Sequence, residues 1–340
     1  MNNITPLFQL NLYVHMALEY PDKTLINPIL FNAGYVIKSI GEELLVPSKI
    51  RKEIGEKKVN SKVTPEIIFK NEENSELLLL ECKVKSFNGG FEERGTRQAL
   101  GYLSLNPREV SKFLGLDVPS VPEVKLLYSV EEKSSELLEK TLSNLSDIVK
   151  RVDYKPLEYN IHGLEINEDG IYINLKCKSG IKYTKITNDL SPVLYIIPLD
   201  PEVNFKDEYG RKVLEEKVRN ALRPIIGRNI SATTEYSFYL EEVCKKAIPV
   251  WDVWSSLSRK KTLRLIKNFI DKVLVELSES GIEHTYNNRC YKIKSKNTKS
   301  IEKIRRFLTS KKYNSFNEEF FNFEQLSLFN DEEFDDAGNF

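Results

Sequence analysis

Residues 77–87 read LLLLECKVKSF, and this stretch decides how the N-terminal half of the chain is interpreted. Four consecutive leucines predict a strand that is buried on both faces. Side chains alternate across a strand, so Glu81 and Lys83 share one face and Cys82 points to the other. The stretch therefore predicts a carboxylate and an ammonium group at the edge of an apolar core, with Cys82 as buried packing.

A second predicted strand, VTPEIIF at residues 63–69, precedes this one, and the polar turn KNEENS joins the two. If the strands pair antiparallel, Glu66 lies near Glu81. Two adjacent carboxylates repel each other and become tolerable when a divalent cation lies between them. Oxygen ligands suit Mg²⁺ or Mn²⁺, and a lysine beside the metal can orient a water and help to deprotonate it. The pattern predicts Glu66 and Glu81 as metal ligands and Lys83 as a catalytic residue that acts on a phosphodiester.

Pro65-Glu66 followed by Glu81-Cys82-Lys83 resembles the motif of the PD-(D/E)XK nuclease superfamily. Gln98 and Tyr102 share one face of a predicted helix at 93–105, and their spacing resembles the Q-x-x-x-Y motif of the RecB-like branch. The resemblance spans roughly residues 60–130. It implies a restriction-endonuclease-like α/β fold, a mixed sheet flanked by helices, in which Gln98 and Tyr102 join the catalytic site and contact DNA.

This sequence departs from the family pattern at Glu66, where the family usually has Asp. The acid that family members often supply from an upstream helix could be Glu19, whereas Asp22 is too far from Glu81 in sequence to replace Glu66. Arg97 is a candidate for binding the scissile phosphate. The alternative for Glu81 and Lys83 is an ordinary cross-strand ion pair on a protein surface.

The chain has equal numbers of basic and acidic residues, 50 of each, but their distribution is uneven. Residues 259–312 hold sixteen Lys or Arg and five Asp or Glu, a local net charge of +11. A helix, a hairpin and a last helix at 301–308 are predicted here, which is the order of a winged-helix module, and the basic charge is typical of a DNA binder. The alternative is the solvated surface of a helical lid. The candidate phosphate contacts are Arg259, Lys260, Lys261, Arg264, Lys292, Lys294, Arg305 and Arg306.

The last 28 residues contain eight acidic residues and no Lys or Arg, and this composition predicts disorder. Within them, QLSLF at residues 325–329 resembles the peptide by which bacterial proteins bind the DNA polymerase sliding clamp. The resemblance implies that Gln325 is a polar anchor, that Leu326 lies between, and that Leu328 and Phe329 enter an apolar pocket. The alternative is a tail that folds back onto its own chain.

Other classes of protein are disfavoured by composition. The four cysteines form no CxxC pair and the three histidines are scattered, which argues against a disulfide framework or a zinc site. The N-terminus is a poor signal peptide, and no run approaches the ~20 apolar residues that span a membrane. We therefore expect a cytoplasmic protein without a membrane partner.

We interpret the chain as a metal-dependent DNA nuclease that acts in replication-linked repair, mobile-element processing or phage defence, with a homodimer left open. The predicted domains are a nuclease domain at 1–150, a β-rich middle domain at 151–248, a winged-helix-like module at 249–312 and a tail at 313–340. The rival interpretation is a non-catalytic DNA-binding protein that keeps a nuclease-like scaffold.

Overall fold

The computed structural model describes residues 4–19, 26–71, 73–116, 122–177, 180–187, 196–197, 208–232, 235–295 and 298–310. These residues fall into two compact units. The first unit contains the described residues up to 187, and the second contains 196–197 and those from 208 onward. None of the helices in the described part of the chain has the length and hydropathy needed to cross a lipid bilayer.

The first unit contains six helices and nine strands among its described residues. The helices are Pro6–Met16 (α1), Ile29–Asn32 (α2), Ser48–Ile54 (α3), Arg94–Leu103 (α4), Pro107–Phe113 (α5) and Glu132–Arg151 (α6). The strands are Tyr35–Ile40 (β1), Leu44–Leu45 (β2), Lys62–Val63 (β3), Ile67–Asn71 (β4), Glu76–Cys82 (β5), Glu123–Glu131 (β6), Glu158–Asn167 (β7), Gly170–Cys177 (β8) and Gly180–Thr187 (β9).

Seven of these strands form one mixed sheet in the order β1-β4-β5-β6-β7-β8-β9. β5, β6 and β7 run parallel, and every other neighbouring pair is antiparallel. Parallel neighbours need a crossover connection, which α4 and α5 supply between β5 and β6 and α6 supplies between β6 and β7. β5 lies inside the sheet and is buried along its whole length, as the four leucines predict. The prediction of a mixed α/β fold is confirmed at this level.

β4 and β5 pair antiparallel, as predicted from the turn that joins them, and Ile67 lies opposite Leu80. One step further along this register, Glu66 comes opposite Glu81, and the Glu66 amide donates to the Leu80 carbonyl at 3.0 Å. Opposite residues of an antiparallel pair project from the same face. The two glutamates are therefore brought together at the end of β5 by the register of a single hairpin.

The two faces of the sheet carry different residues at this end. Glu81 projects toward the side of α4 and α6, whereas Cys82 projects toward α1. Cys82 is in register with Ser129 on β6, and Ser129 is in register with His162 on β7. On the α1 side, Tyr13 Oη lies 2.8 Å from His162 Nδ1. Cys82 is 2% exposed, which confirms its predicted place in the core.

The structure corrects the predicted boundary between residues 150 and 151. β7 pairs in parallel with β6, and β8 and β9 extend the same sheet. Near residue 152 the sequence changes from a helical pattern to a strand pattern. This change marks the end of α6, after which the chain forms β7 of the same sheet. A β-rich segment is present, but it is part of the first unit because its backbone hydrogen bonds are made to the strands of that unit.

The second unit contains Glu208–Ala232 (α7), Glu235–Tyr239 (β10), Leu240–Ala247 (α8), Ser256–Ser278 (α9), Ile282–Asn287 (β11), Cys290–Ser295 (β12) and Thr298–Leu308 (α10). The predicted order of helix, hairpin and helix is present as α9, β11–β12 and α10. β10 adds a third strand by pairing with β12. The structure therefore also corrects the predicted boundary at 248, because β10 precedes it in sequence and belongs to the same small sheet.

Two local details of the second unit follow from backbone conformation. Gly281 has φ +96° after α9, a left-handed conformation that glycine adopts without strain. The turn of the hairpin is Asn288-Arg289, with φ of +48° and +61°. A two-residue turn with positive φ at both positions matches the twist of the flanking strands. Residues 193–199, VLYIIPL, have the apolar composition that predicts a strand, but they lie outside the described residues except for 196–197, which form no strand.

At Gly101, α4 lies close to Val63 of β3 and to Val46, which follows β2. A Cβ atom at this position would lie 2.7 Å from Val63 Cγ1 and 3.3 Å from Val46 Cγ2. Both valines are buried, so neither can move aside freely. The absence of a side chain at Gly101 therefore allows α4 to pack closely against these two residues.

We predict that Gly101→Ala lowers the free energy of unfolding by about 1–2 kcal/mol, because overpacking outweighs the ~1 kcal/mol gain in helix propensity. Gly227 provides a matched control, since it also lies in a helix and its Cβ would meet nothing within 4 Å. Gly227→Ala should raise the free energy of unfolding by up to ~1 kcal/mol. Urea denaturation followed by circular dichroism measures both, and equal effects would contradict the packing argument.

Candidate active site

The centre of the site is the pair of carboxylates that the β4–β5 hairpin brings together. Glu66 is 9% exposed and Glu81 is 1% exposed. Glu66 Oε2 accepts a hydrogen bond of 3.0 Å from the backbone amide of Cys82, the residue that follows Glu81. This bond holds the Glu66 side chain against the end of β5. Sequence reasoning therefore predicted the proximity of these two residues correctly.

Lys83, Gln98 and Tyr102 surround Glu81 in one continuous network. Lys83 Nζ forms an ion pair with Glu81 Oε1 and donates a hydrogen bond of 2.9 Å to Gln98 Oε1. The Tyr102 hydroxyl donates to Glu81 Oε2 at 2.5 Å. Gln98 Nε2 in turn donates to Tyr102 Oη at 3.4 Å. All five predicted catalytic residues lie in one cluster, and the Lys83 side chain, 23% exposed, forms its solvent-accessible side.

The pKa values of two tyrosine hydroxyls reflect the burial and the negative charge of this cluster. Burial raises the pKa of Tyr102 well above its usual value, and the charges of Glu81 and Glu66 raise it further. The same causes, in the same order, raise the pKa of Tyr128 on β6. Both tyrosines therefore stay protonated at ordinary pH and can only act as neutral hydrogen-bond donors or acceptors. The cluster is a region of low dielectric with concentrated negative charge.

The backbone at the end of β5 is fixed by two further hydrogen bonds. The Lys83 amide donates to the Ser129 carbonyl at 2.8 Å. Gln9, on α1, donates from Nε2 to the Lys83 carbonyl at 2.8 Å and is fully buried. Sequence reasoning missed Gln9, which is buried in α1 together with the polar residues Asn11 and His15, and no local signal distinguishes it from those two. Glu19, the upstream acid considered from sequence, is exposed and lies beyond the end of α1 at Met16.

The donor set fits a small divalent cation. Among the five side chains of the cluster there are two carboxylates and one ammonium group, so these side chains carry more negative than positive charge. Mg²⁺ is commonly held by one or two carboxylates together with waters and phosphate oxygens. A cluster of three or more His, Cys, Asp or Glu is not found among the described residues. Glu66 and Glu81 are the residues that would hold the cation.

Arg97 has a structural role that its sequence context did not predict. Its Nη1 donates to the Phe91 carbonyl at 2.9 Å and to the Glu92 carbonyl at 2.7 Å. These bonds tie the loop that precedes α4 to the helix. Arg97 was predicted to bind phosphate, and in the structure its guanidinium is engaged by this loop.

The predicted DNA-binding residues of the second unit divide into groups with different surroundings. Lys260, Lys261 and Arg264 are exposed on the first turns of α9, and Arg259 is half-buried beside them. Within the described residues, no acidic side chain forms an ion pair with Lys260, Lys261 or Arg264. The first turn of α9 contains no acidic residue. Basic residues are unfavourable at this end of a helix, which already carries partial positive charge, so their clustering there strengthens a local attraction for anions.

Lys292 and Lys294 lie on the exposed face of the small sheet. Lys294 is in register with Glu235 on one side and Glu283 on the other, so this face carries mixed charge. Arg305 and Arg306 are exposed on α10, and Arg306 is paired with Glu302 at 2.5 Å. The basic surface is therefore most concentrated at the start of α9. Gln325, Leu326, Leu328 and Phe329, like Asp22, lie outside the described residues.

No protein-family model, curated protein or solved structure matches this chain. The assignment of a function therefore depends on the geometry of the cluster and on the sequence resemblance.

Proposed function

We propose that this protein is a metal-dependent DNA nuclease that hydrolyses phosphodiester bonds. The observation that carries the proposal is the pair of buried carboxylates, Glu66 and Glu81, held opposite each other with Lys83 in contact with one of them. Two carboxylates that share a buried site need a cationic partner, and a lysine at the open side is suited to handling a water molecule. As part of the same assignment, we propose that the first unit has a restriction-endonuclease-like fold.

In the proposed reaction, Glu66 and Glu81 would hold Mg²⁺ or Mn²⁺, and the cation would supply stabilisation of negative charge on the phosphate. The Lys83 ammonium group orients the attacking water, and its positive charge favours loss of the water's proton to solvent. The water oxygen forms a bond to phosphorus, the bond from phosphorus to the leaving oxygen breaks, and that oxygen takes up a proton. Gln98 keeps the Lys83 ammonium group in place, and Tyr102 orients the Glu81 carboxylate.

We expect Lys83→Met to reduce Mg²⁺-dependent cleavage at least about 100-fold, which is the usual contribution of a positioned proton-transfer group. Lys85→Met is the matched control, because Lys85 is exposed two residues further along the chain. The assay compares linear and circular DNA with Mg²⁺ and with a chelator. Wild-type activity in Lys83→Met would remove the basis of the site assignment. Salt-dependent DNA binding by a wild-type protein that cleaves nothing would favour the non-catalytic scaffold.

The start of α9 is proposed to anchor duplex DNA through its phosphates. We expect replacement of Lys260, Lys261 and Arg264 by alanine to reduce the slope of log K against log salt by up to about 2.7, since each phosphate contact contributes ~0.9 on B-DNA. The control removes Lys133, Lys140 and Lys150 of α6, which are exposed and each paired with an acidic residue. An equal change of slope in both triple variants would show that the effect is one of net charge alone.

We also propose that the sequence QLSLF at 325–329 recruits the nuclease to a bacterial sliding clamp. Leu328→Ala combined with Phe329→Ala should abolish binding to the purified clamp and leave cleavage of naked DNA unchanged. Calorimetry at tens of μM would detect a peptide motif of ~μM affinity. If the wild-type protein does not bind the clamp, the tail has another role. Increased DNA affinity after deletion of 313–340 would then point to self-inhibition.

A further inference from the structure

Tyr128 places a buried hydroxyl beside the carboxylate pair. Tyr128 is fully buried on β6 and is in register with Glu81 on β5. Register partners on neighbouring strands project from the same face, so the Tyr128 ring lies on the side of the sheet that carries the cluster. Its hydroxyl has no hydrogen-bond partner among the described residues.

This feature contrasts with the other tyrosine of the cluster. The Tyr102 hydroxyl is equally buried but donates to Glu81 Oε2. A buried hydroxyl without a partner is unfavourable, and a phenylalanine of the same shape would avoid the loss. The hydroxyl of Tyr128 therefore makes no hydrogen bond that stabilises the fold within the described residues, and Glu81 and Glu66, whose charges act on it, offer acceptors on the same face of the sheet.

We propose that Tyr128 is a positioning residue whose hydroxyl donates a hydrogen bond to an anionic oxygen of the site when a divalent cation is bound. The acceptor is either a carboxylate oxygen of Glu66 or Glu81 or an oxygen of the bound phosphate. Lys83 contacts Glu81 Oε1, and a cation at the carboxylates would compete with that ammonium group for the oxygen. An anionic oxygen of the site that neither the cation nor Lys83 engages can accept from the Tyr128 hydroxyl, and hydrogen bonds of this kind orient metal-binding carboxylates.

The inference rests on the proposed function, because it requires a cation at Glu66 and Glu81. Tyr128→Phe tests it, with Tyr102→Phe as the matched control. In the absence of metal, the melting temperature of Tyr128→Phe should lie within about 1 °C of the wild-type value or above it. Tyr102→Phe should melt about 3 °C lower or more, because it leaves a buried carboxylate oxygen without its donor.

Calorimetry with Mn²⁺ provides the readout that does not depend on activity. The Kd of Tyr128→Phe for Mn²⁺ should be about tenfold weaker than the wild-type Kd, as expected for a lost partner of a metal-binding carboxylate. Repeating the titration with thymidine 5′-monophosphate present distinguishes the two acceptors. A defect with Mn²⁺ alone identifies a carboxylate oxygen, whereas a defect that appears only with the nucleotide identifies a phosphate oxygen.

Two results would overturn the inference while leaving the proposed function intact. One is a Kd of Tyr128→Phe equal to that of the wild type in both titrations. The other is a melting temperature of metal-free Tyr128→Phe as low as that of Tyr102→Phe, which would mean that a buried water already satisfies the hydroxyl. A wild-type protein that binds no Mn²⁺ at all would overturn the proposed function and this inference with it.

Discussion

Two glutamate side chains are buried opposite each other at the end of one hairpin, and the rest of the first unit is arranged around their charge. Glu66 and Glu81 would repel each other strongly in a medium of low dielectric. Their oxygens are instead engaged by the Cys82 amide, the Lys83 ammonium group and the Tyr102 hydroxyl. Each of these partners belongs to a regular element or directly follows one. The site is therefore held by backbone geometry rather than by flexible loops.

The architecture explains why that end of β5 is suited to chemistry. β5 enters a parallel arrangement with β6 and β7, and the crossover through α4 brings a helix across the face that carries Glu81. From α4, Tyr102 donates to the Glu81 carboxylate and Gln98 contacts both Tyr102 and Lys83. On the opposite face, α1 contributes Gln9, which binds the carbonyl of Lys83. Lys83 is thus fixed from both faces of the sheet.

The second unit contributes a different kind of feature, namely a local concentration of positive charge. Lys260, Lys261 and Arg264 are exposed at the helix end where the backbone dipole is also positive. Elsewhere in the unit, several basic residues are paired with acids, as in the network that joins Arg219 to Glu215 and Glu276. The positive charge at the start of α9 is therefore not balanced by ion pairs among the described residues. An unbalanced positive surface of this kind attracts polyanions.

Local sequence determined those parts of the site that depend on short-range geometry. Strand alternation put Glu81 and Lys83 on one face, the KNEENS turn implied an antiparallel partner for Glu81, and helical spacing aligned Gln98 with Tyr102. The same rules located β4, β5, α4, the β11–β12 hairpin and α10, because each depends on residues only a few positions apart. The register of the β4–β5 hairpin followed for the same reason.

Only the tertiary structure decided which distant residues complete the site. Gln9 reaches Lys83 across 74 positions of sequence, and α1 is buried on nearly all sides, so its polar residues have no amphipathic pattern to identify them. Tyr128 meets the cluster through the parallel pairing of β5 with β6, which no local pattern specifies. The parallel pairing of β7 with β6 is also non-local. It joins β7–β9 to the sheet, and for this reason the predicted domain boundary at residue 150 was wrong. Hydrogen bonds between strands far apart in sequence are set by the packing of the whole unit, and a single sequence carries no direct record of them.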